Sequence, residues 1–208
     1  MLAGKKRVVQ TGYFERLLCG DCETLLSGYE SEFDKHWMKT IPKNIFPLLR
    51  GPEPDALTVE IPNYAKFKLF HLSVFWRAAV SSFNTDPTIS LGDHERVIAK
   101  MILTGDPGQP GDFPFVASLN YDKNGKPVPM VAPLAKSSNK LEDRFDCYLL
   151  SYAYCDWMFV DARPGPQWMV TLEEAFRAER RFVLLSGPLR ESKSVNLFVD
   201  TLRKRKKP

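Results

Sequence analysis

The 208 residues carry 44% hydrophobic and 12% aromatic side chains, enough apolar material for a real core and too much for a disordered chain. No apolar run approaches the roughly 18 to 20 residues that a bilayer-spanning helix needs, and the basic stretch Met1 to Gln10 lacks the apolar segment of a secretory signal. This composition predicts a cytoplasmic protein without a membrane partner. The net charge of +4 is smaller than the five charges of Arg203, Lys204, Arg205, Lys206 and Lys207, so basicity is concentrated in a tail rather than spread over the surface.

In chain order, Lys5, Lys6 and Arg7 form a first basic cluster, and Val8 to Phe14 has the composition of a short strand. The run Cys19-Gly20-Asp21-Cys22 then leads into a helix. Two sulfurs three positions apart can grip one edge of a tetrahedron, which makes Cys19 and Cys22 candidate zinc ligands and half of a four-thiolate site. Leu26, Tyr29, Phe33 and Trp37 recur at three- and four-residue spacing, which predicts an amphipathic helix over Glu23 to Lys39. His36 lies 14 positions beyond Cys22, about 20 Å along that helix, and is too far to close the same metal site. Pro42 and Pro47 are expected to end the helix, and the proline-rich stretch Leu49 to Pro62 reads as an extended connector. The organisation predicted is a knuckle-helix unit over 1–46 and a body over 47–208.

Within the body, Lys66 to Phe83 is apolar all round and predicts a core helix, with His71 a hydrogen-bonded core histidine. Leu91-Gly92-Asp93 opens a further helix, striped by Val97, Ile98, Met101 and Ile102 and stopped by Gly105; His94 at its start reads as a surface or cap residue. The stretch Asp106 to Asp112 is a loop whose spacing does not match a calcium site. Asn124-Gly125 predicts a hairpin joining strands over Phe113 to Asp122 and Lys126 to Leu134. Phe145 to Ala153 and Asp156 to Ala162 read as strands, with a helical alternative over Tyr152 to Met158. Cys147 and Cys155, eight apart, lack knuckle spacing and are expected as plain buried thiols. Thr171-x-x-Glu174 has the pattern of a capping box opening a helix over Leu172 to Arg181, Phe182 to Leu185 suits a strand, and Ser194 to Arg203 a last helix. Helices followed by clustered strands give an α+β fold with an antiparallel, β-rich C-terminal half.

The run Leu17-Leu18-Cys19-x-x-Cys22-Glu23-x-x-Leu26-Ser27-x-Tyr29-Glu30, followed by Phe67-x-Leu69-Phe70-His71-Leu72-Ser73-x-x-Trp76-Arg77-Ala78, resembles a bacterial group of HNH endonuclease-like proteins. Ser90-Leu91-Gly92 and Gly105-Asp106-Pro107-Gly108 continue the resemblance, which touches residues 14 to 115. It implies a treble clef in which a preceding C-x-x-C shares zinc with Cys19 and Cys22, and in which an upstream Ser/Ala-His-Ile-Ile-Pro stretch supplies the general base of a metal-dependent nuclease. The 18 residues before Cys19 contain neither cysteine nor histidine. The resemblance therefore implies an HNH-related nucleic-acid-binding protein that is catalytically incomplete as written, with Glu23 the only local candidate for catalytic metal chemistry. Lys5, Lys6, Arg7, Arg203, Lys204, Arg205, Lys206 and Lys207 are the expected phosphate contacts. Two alternatives stand beside this reading: a metal-dependent DNA endonuclease completed by an upstream segment, and a defence-associated interaction or inhibitor module that does not bind nucleic acid. Isologous symmetry adds a route to a full zinc site, with two protomers each donating Cys19 and Cys22.

Overall fold

The computed structural model describes residues 15, 17–45, 56–82, 84, 89–122, 124, 126, 128–129, 131–137, 141–142 and 144–185. The strand expected over Val8 to Phe14, the helix expected over Ser194 to Arg203, and both basic clusters lie outside these residues. The fold is α+β, with four α-helices and one six-stranded sheet among the described residues. No helix among the described residues is long and apolar enough to cross a membrane.

Helix α1 (Gly20–Phe33) begins at Cys19, whose backbone is extended, and Asp21 and Glu23 in its first turn complement the positive end of the helix dipole. The predicted stripe is buried, with Leu26, Tyr29 and Phe33 at 4 to 6% exposure and Trp37 at 0%. Beyond Phe33 the chain continues in two wide π-helical segments, 34–38 and 41–45. Pro42 was expected to end the helix and instead sits at the second residue of the latter segment, where a missing N–H costs no internal bond. The Trp37 indole N–H donates to the Ala153 carbonyl at 3.3 Å, and its ring packs on Phe33, Phe67, Trp157 and Phe182. The knuckle helix thus shares one core with the body.

The stretch read as a connector contains strand β1 (Ala56–Glu60). Leu57 and Val59 are buried while Thr58 and Glu60 are exposed, a period of two; the neighbouring prolines flank this edge strand rather than interrupt it. Helix α2 (Tyr64–Val80) is capped by the Asn63 side chain, which accepts from the Lys66 N–H. Its middle, Phe67 to Ser73, is continuously buried. Helix α3 (His94–Thr104) ends at Gly105, left-handed at φ 72°, as a terminating glycine allows.

The strands β2 (Phe115–Leu119), β3 (Ala132–Lys136), β4 (Cys147–Tyr152), β5 (Cys155–Val160) and β6 (Arg181–Leu185), with β1, form a sheet in the order β1-β6-β2-β5-β4-β3. Among the described strands, only the β2–β6 pair is parallel. The expected hairpin between β2 and β3 does not form as a strand pair, because β5 and β4 lie between them. What Asn124 marks is a local loop, closed by Asp122 N–H to Lys126 C=O and Val128 N–H to Asn120 C=O, both 2.9 Å. The chain then crosses to the far edge and returns through β4 and β5, in Greek-key order. Turn chemistry reports local reversal; it does not say which strands become neighbours.

Residues 153 and 154 belong to a tight β4–β5 turn rather than to a helix. Ala153 and Tyr154 both take positive φ, 50° and 66°, as a two-residue type I′ connection demands. Helix α4 (Gln167–Glu179) starts four residues before the expected capping box. Thr171 lies inside it and its hydroxyl donates back to the Gln167 carbonyl, so Thr171 and Glu174 do not cap. β2 is buried at all five positions, because Phe115, Ala117 and Leu119 join the large core with α1 and α2 while Val116 joins Cys147, Val160, Ala162 and Met169 in a smaller one.

Candidate functional site

The knuckle forms where the chain turns into α1. Cys19 is the N-cap at φ −82°, ψ 166°, and Cys22 falls in the first turn, which brings the two sulfurs to 3.3 Å. Cys19 is exposed and Cys22 half-buried. The Cys22 backbone N–H, then its thiol, hold the Cys19 pKa below the ordinary thiol value. Cys22 moves the other way, raised first by its side-chain hydrogen bond with Cys19 and then by burial. The knuckle is one asymmetric sulfur pair, with Cys19 shifted down and Cys22 shifted up.

A zinc–sulfur distance of about 2.3 Å and a tetrahedral angle require sulfurs about 3.8 Å apart, so the pair must open by roughly 0.5 Å to share an ion. Side-chain rotation suffices for that. Among the described residues no group of three or more His, Cys, Asp or Glu side chains is arranged to hold a metal. The residues present therefore fit half of a zinc site.

Two depressions share Leu17, Leu18 and Leu26 beside the knuckle. One is an apolar cavity of about 190 Å³ lined by Leu17, Leu18, Leu25, Trp76, Ile102 and Leu103, with both cysteines on its wall. Leu103 on its lining is 56% exposed, and the Trp76 indole nitrogen is buried without a hydrogen-bond partner among the described residues. The other is a polar groove of about 320 Å³ lined by Glu15, Glu23, Glu30 and Arg77. Here Glu30 pairs with Arg77 at 3.1 Å, and Glu15 accepts from the Ser81 hydroxyl at 2.7 Å and the Ser82 N–H. The Ser81 hydrogen bond is the main reason that the Glu15 carboxyl lies below its ordinary range. Glu23 is exposed at the groove's edge, apart from the two engaged carboxylates.

The remaining predicted positions separate. His36 pairs with Glu32 at 3.3 Å, one turn back on its own helix. His71 is fully buried and hydrogen-bonded through Nδ1 to the Tyr152 hydroxyl, but its Nε2 has no partner among the described residues; the expected core histidine is satisfied there on one side only. Burial holds its pKa well below 6.5. Cys147 and Cys155 are buried free thiols, as expected, and burial raises both pKa values.

Two clusters escaped sequence reasoning. His94 Nδ1 lies 2.8 Å from Asp161 Oδ1, with the imidazole 37% exposed; burial raises the Asp161 pKa against the lowering effect of His94. Lys68, with no exposed surface, meets Glu173 Oε1 at 2.7 Å, and Arg177 forks onto the same oxygen at 2.6 and 3.2 Å. Glu173 Oε2 accepts from the Gly111 N–H at 2.9 Å, and Arg177 donates to the Gly108 carbonyl. This network clamps the loop 106–112 to α2 and α4. Gly111 is obligatory there, since a Cβ would run into Val170 and φ is 87°. Partners 67 and 105 positions apart leave no local spacing signal.

Comparison with known proteins finds no matching family model, no matching curated protein and no matching solved structure.

Proposed function

We propose that the chain is an HNH-related nucleic-acid-binding protein in which Cys19 and Cys22 supply two thiolates of a structural zinc and a second copy supplies the other two. The observation that carries this reading is the pair of surface sulfurs, 3.3 Å apart at the open mouth of α1, with no third ligand group among the described residues. Two such half-sites facing each other across a two-fold axis make a four-sulfur tetrahedron. The basic clusters Lys5 to Arg7 and Arg203 to Lys207 supply the phosphate contacts, with affinity that falls steeply as salt displaces them. Glu23, exposed in the first turn of α1, supports a helix-dipole role better than a catalytic one.

Zinc content measured alongside native mass tests the site. One zinc per two chains is expected, with Cys19→Ser giving monomers that lack metal; a zinc-free dimer that survives the substitution overturns it. Binding of duplex DNA across a salt series tests the partner, and replacing Arg203 to Lys207 by serine is expected to reduce the salt slope. Binding without salt dependence, or none at all, removes the nucleic-acid reading and leaves an interaction module. Plasmid cutting with magnesium or manganese, lost in Glu23→Ala, would establish the nuclease instead.

A further inference from the structure

We infer that Cys19 and Cys22 are a reversible dithiol–disulfide pair that undergoes exchange with small disulfides of the glutathione class. This activity belongs to the metal-free knuckle and stands whether or not zinc binds there. The sulfurs are already in contact at 3.3 Å. A disulfide bond of 2.03 to 2.05 Å needs about 1.3 Å of further approach. Cys19 is at an extended N-cap outside the helix, and Cys22 on the first turn, so the closure is made by side-chain rotation and a small adjustment of the cap.

The exposure of the two cysteines assigns the order of events. Cys19 is the exposed sulfur and Cys22 the half-buried one, so an incoming disulfide reaches Cys19 first. The Cys19 thiolate attacks one sulfur of the disulfide, forming a mixed disulfide and releasing one thiolate that takes up a proton. Cys22, giving its proton to solvent, then attacks the Cys19 sulfur and expels the second thiolate. The protein loses two protons and two electrons, and the small disulfide becomes two thiols. Cys147 and Cys155, at 2% and 0% exposure, are shut off from the same reagent.

The test uses the full chain, dialysed against chelator and exposed to glutathione disulfide, then alkylated and weighed by mass spectrometry under native and denaturing conditions. Wild type is expected to lose two alkylatable thiols and two hydrogens, carry no lasting glutathione, and recover both thiols in excess reduced glutathione. Cys22→Ser is expected to trap one glutathione on Cys19, and Cys19→Ser to react at least tenfold more slowly. Wild type that keeps both thiols, retains glutathione on Cys19, or links two chains through these cysteines overturns the assignment. If a variant loses its near-ultraviolet circular dichroism, the mass of the wild-type peptide spanning Leu17 to Lys35 decides: two hydrogens lost within that one peptide supports the pair, and an intact or adducted peptide refutes it. Zinc stoichiometry is read separately, so a failure of the zinc site does not register as a failure of exchange.

Discussion

Replacing Glu173 by glutamine removes one charge from a nearly buried site. The carboxylate is 3% exposed and receives four hydrogen bonds, from Lys68, from Arg177 twice and from the Gly111 N–H. The amide keeps the shape and one acceptor for Gly111 but leaves Lys68, with no exposed surface, facing Arg177 without the anion between them. Removing one partner of a buried ion pair costs about 3 to 5 kcal/mol; because Arg177 is 28% exposed and can turn toward water, the lower end, about 3 kcal/mol, is expected here. Lys68→Met is the informative contrast. It removes the most buried charge, leaves Glu173 held by Arg177 and Gly111, and fills the space with a flexible apolar chain, so about 1 kcal/mol is expected. The double variant should be more stable than Glu173→Gln alone by about 2 kcal/mol. Urea unfolding followed by tryptophan fluorescence measures all three. A Glu173→Gln cost below about 1 kcal/mol, or a double variant no more stable than that single, would show that the network does not clamp the 106–112 loop as its geometry implies.

Native His71 refuses a proton because burial holds its pKa well below 6.5, and among the described residues it faces the Tyr152 hydroxyl and the rings of Phe33, Trp37, Phe67, Phe70, Phe115 and Trp157. The unfolded chain binds that proton below 6.5, so this contribution to stability is complete above pH 6.5 and is lost on acidification, at up to about 1.4 kcal/mol per pH unit; His71→Gln is expected to flatten the acid limb of stability against pH, and an unchanged limb refutes the assignment. Trp37→Ala, at 0% exposure, is expected to cost about 3 to 5 kcal/mol in chemical denaturation, and a loss under about 2 kcal/mol would mean that α1 is not anchored through this ring. Ala153→Gly relieves a left-handed alanine at φ 50° and is expected to raise stability by about 0.5 to 1 kcal/mol, read as a rise in the denaturation midpoint; a fall in the midpoint would place the packing of that methyl above its backbone strain.

The helices were legible because their information is local. Leu26, Tyr29, Phe33 and Trp37 mark one stripe, and Gly105 one stop, within the span that each element occupies. What failed were inferences that needed partners. Leu57 and Val59 alternate as a strand should, but their proline-rich surroundings outweighed five residues whose ladder is completed only by β6, more than a hundred positions later. Thr171 and Glu174 have the spacing of a capping box, yet α4 begins where Pro166 sets the chain direction, and an interior threonine satisfies itself on the preceding turn. Ala153-Tyr154 is not a turn signature by composition. Its positive φ values are imposed by strands already paired and by the indole of Trp37 on the Ala153 carbonyl. The site divides in the same way: the cysteine pair is a three-residue pattern, whereas Lys68, Glu173 and His94 acquire meaning only from residues that the fold brings to them.

The two proposals for the knuckle make opposite demands on one distance, which makes their competition measurable. Zinc needs the sulfurs about 3.8 Å apart and exchange needs them at about 2.05 Å; they stand at 3.3 Å. The helix beneath is fixed, by the Tyr29 hydroxyl on the Ile102 carbonyl at 3.0 Å and by the buried Leu26. The adjustment must therefore come from the Cys19 and Cys22 side chains and the cap, and the same two sulfurs cannot be in both states. Saturating zinc is expected to slow disulfide formation by glutathione disulfide at least tenfold, and oxidised protein is expected to take up no zinc until it is reduced. Oxidation at equal rates with and without bound zinc would mean that the metal sits elsewhere, and would dissociate the zinc reading from Cys19 and Cys22 while leaving the exchange chemistry in place.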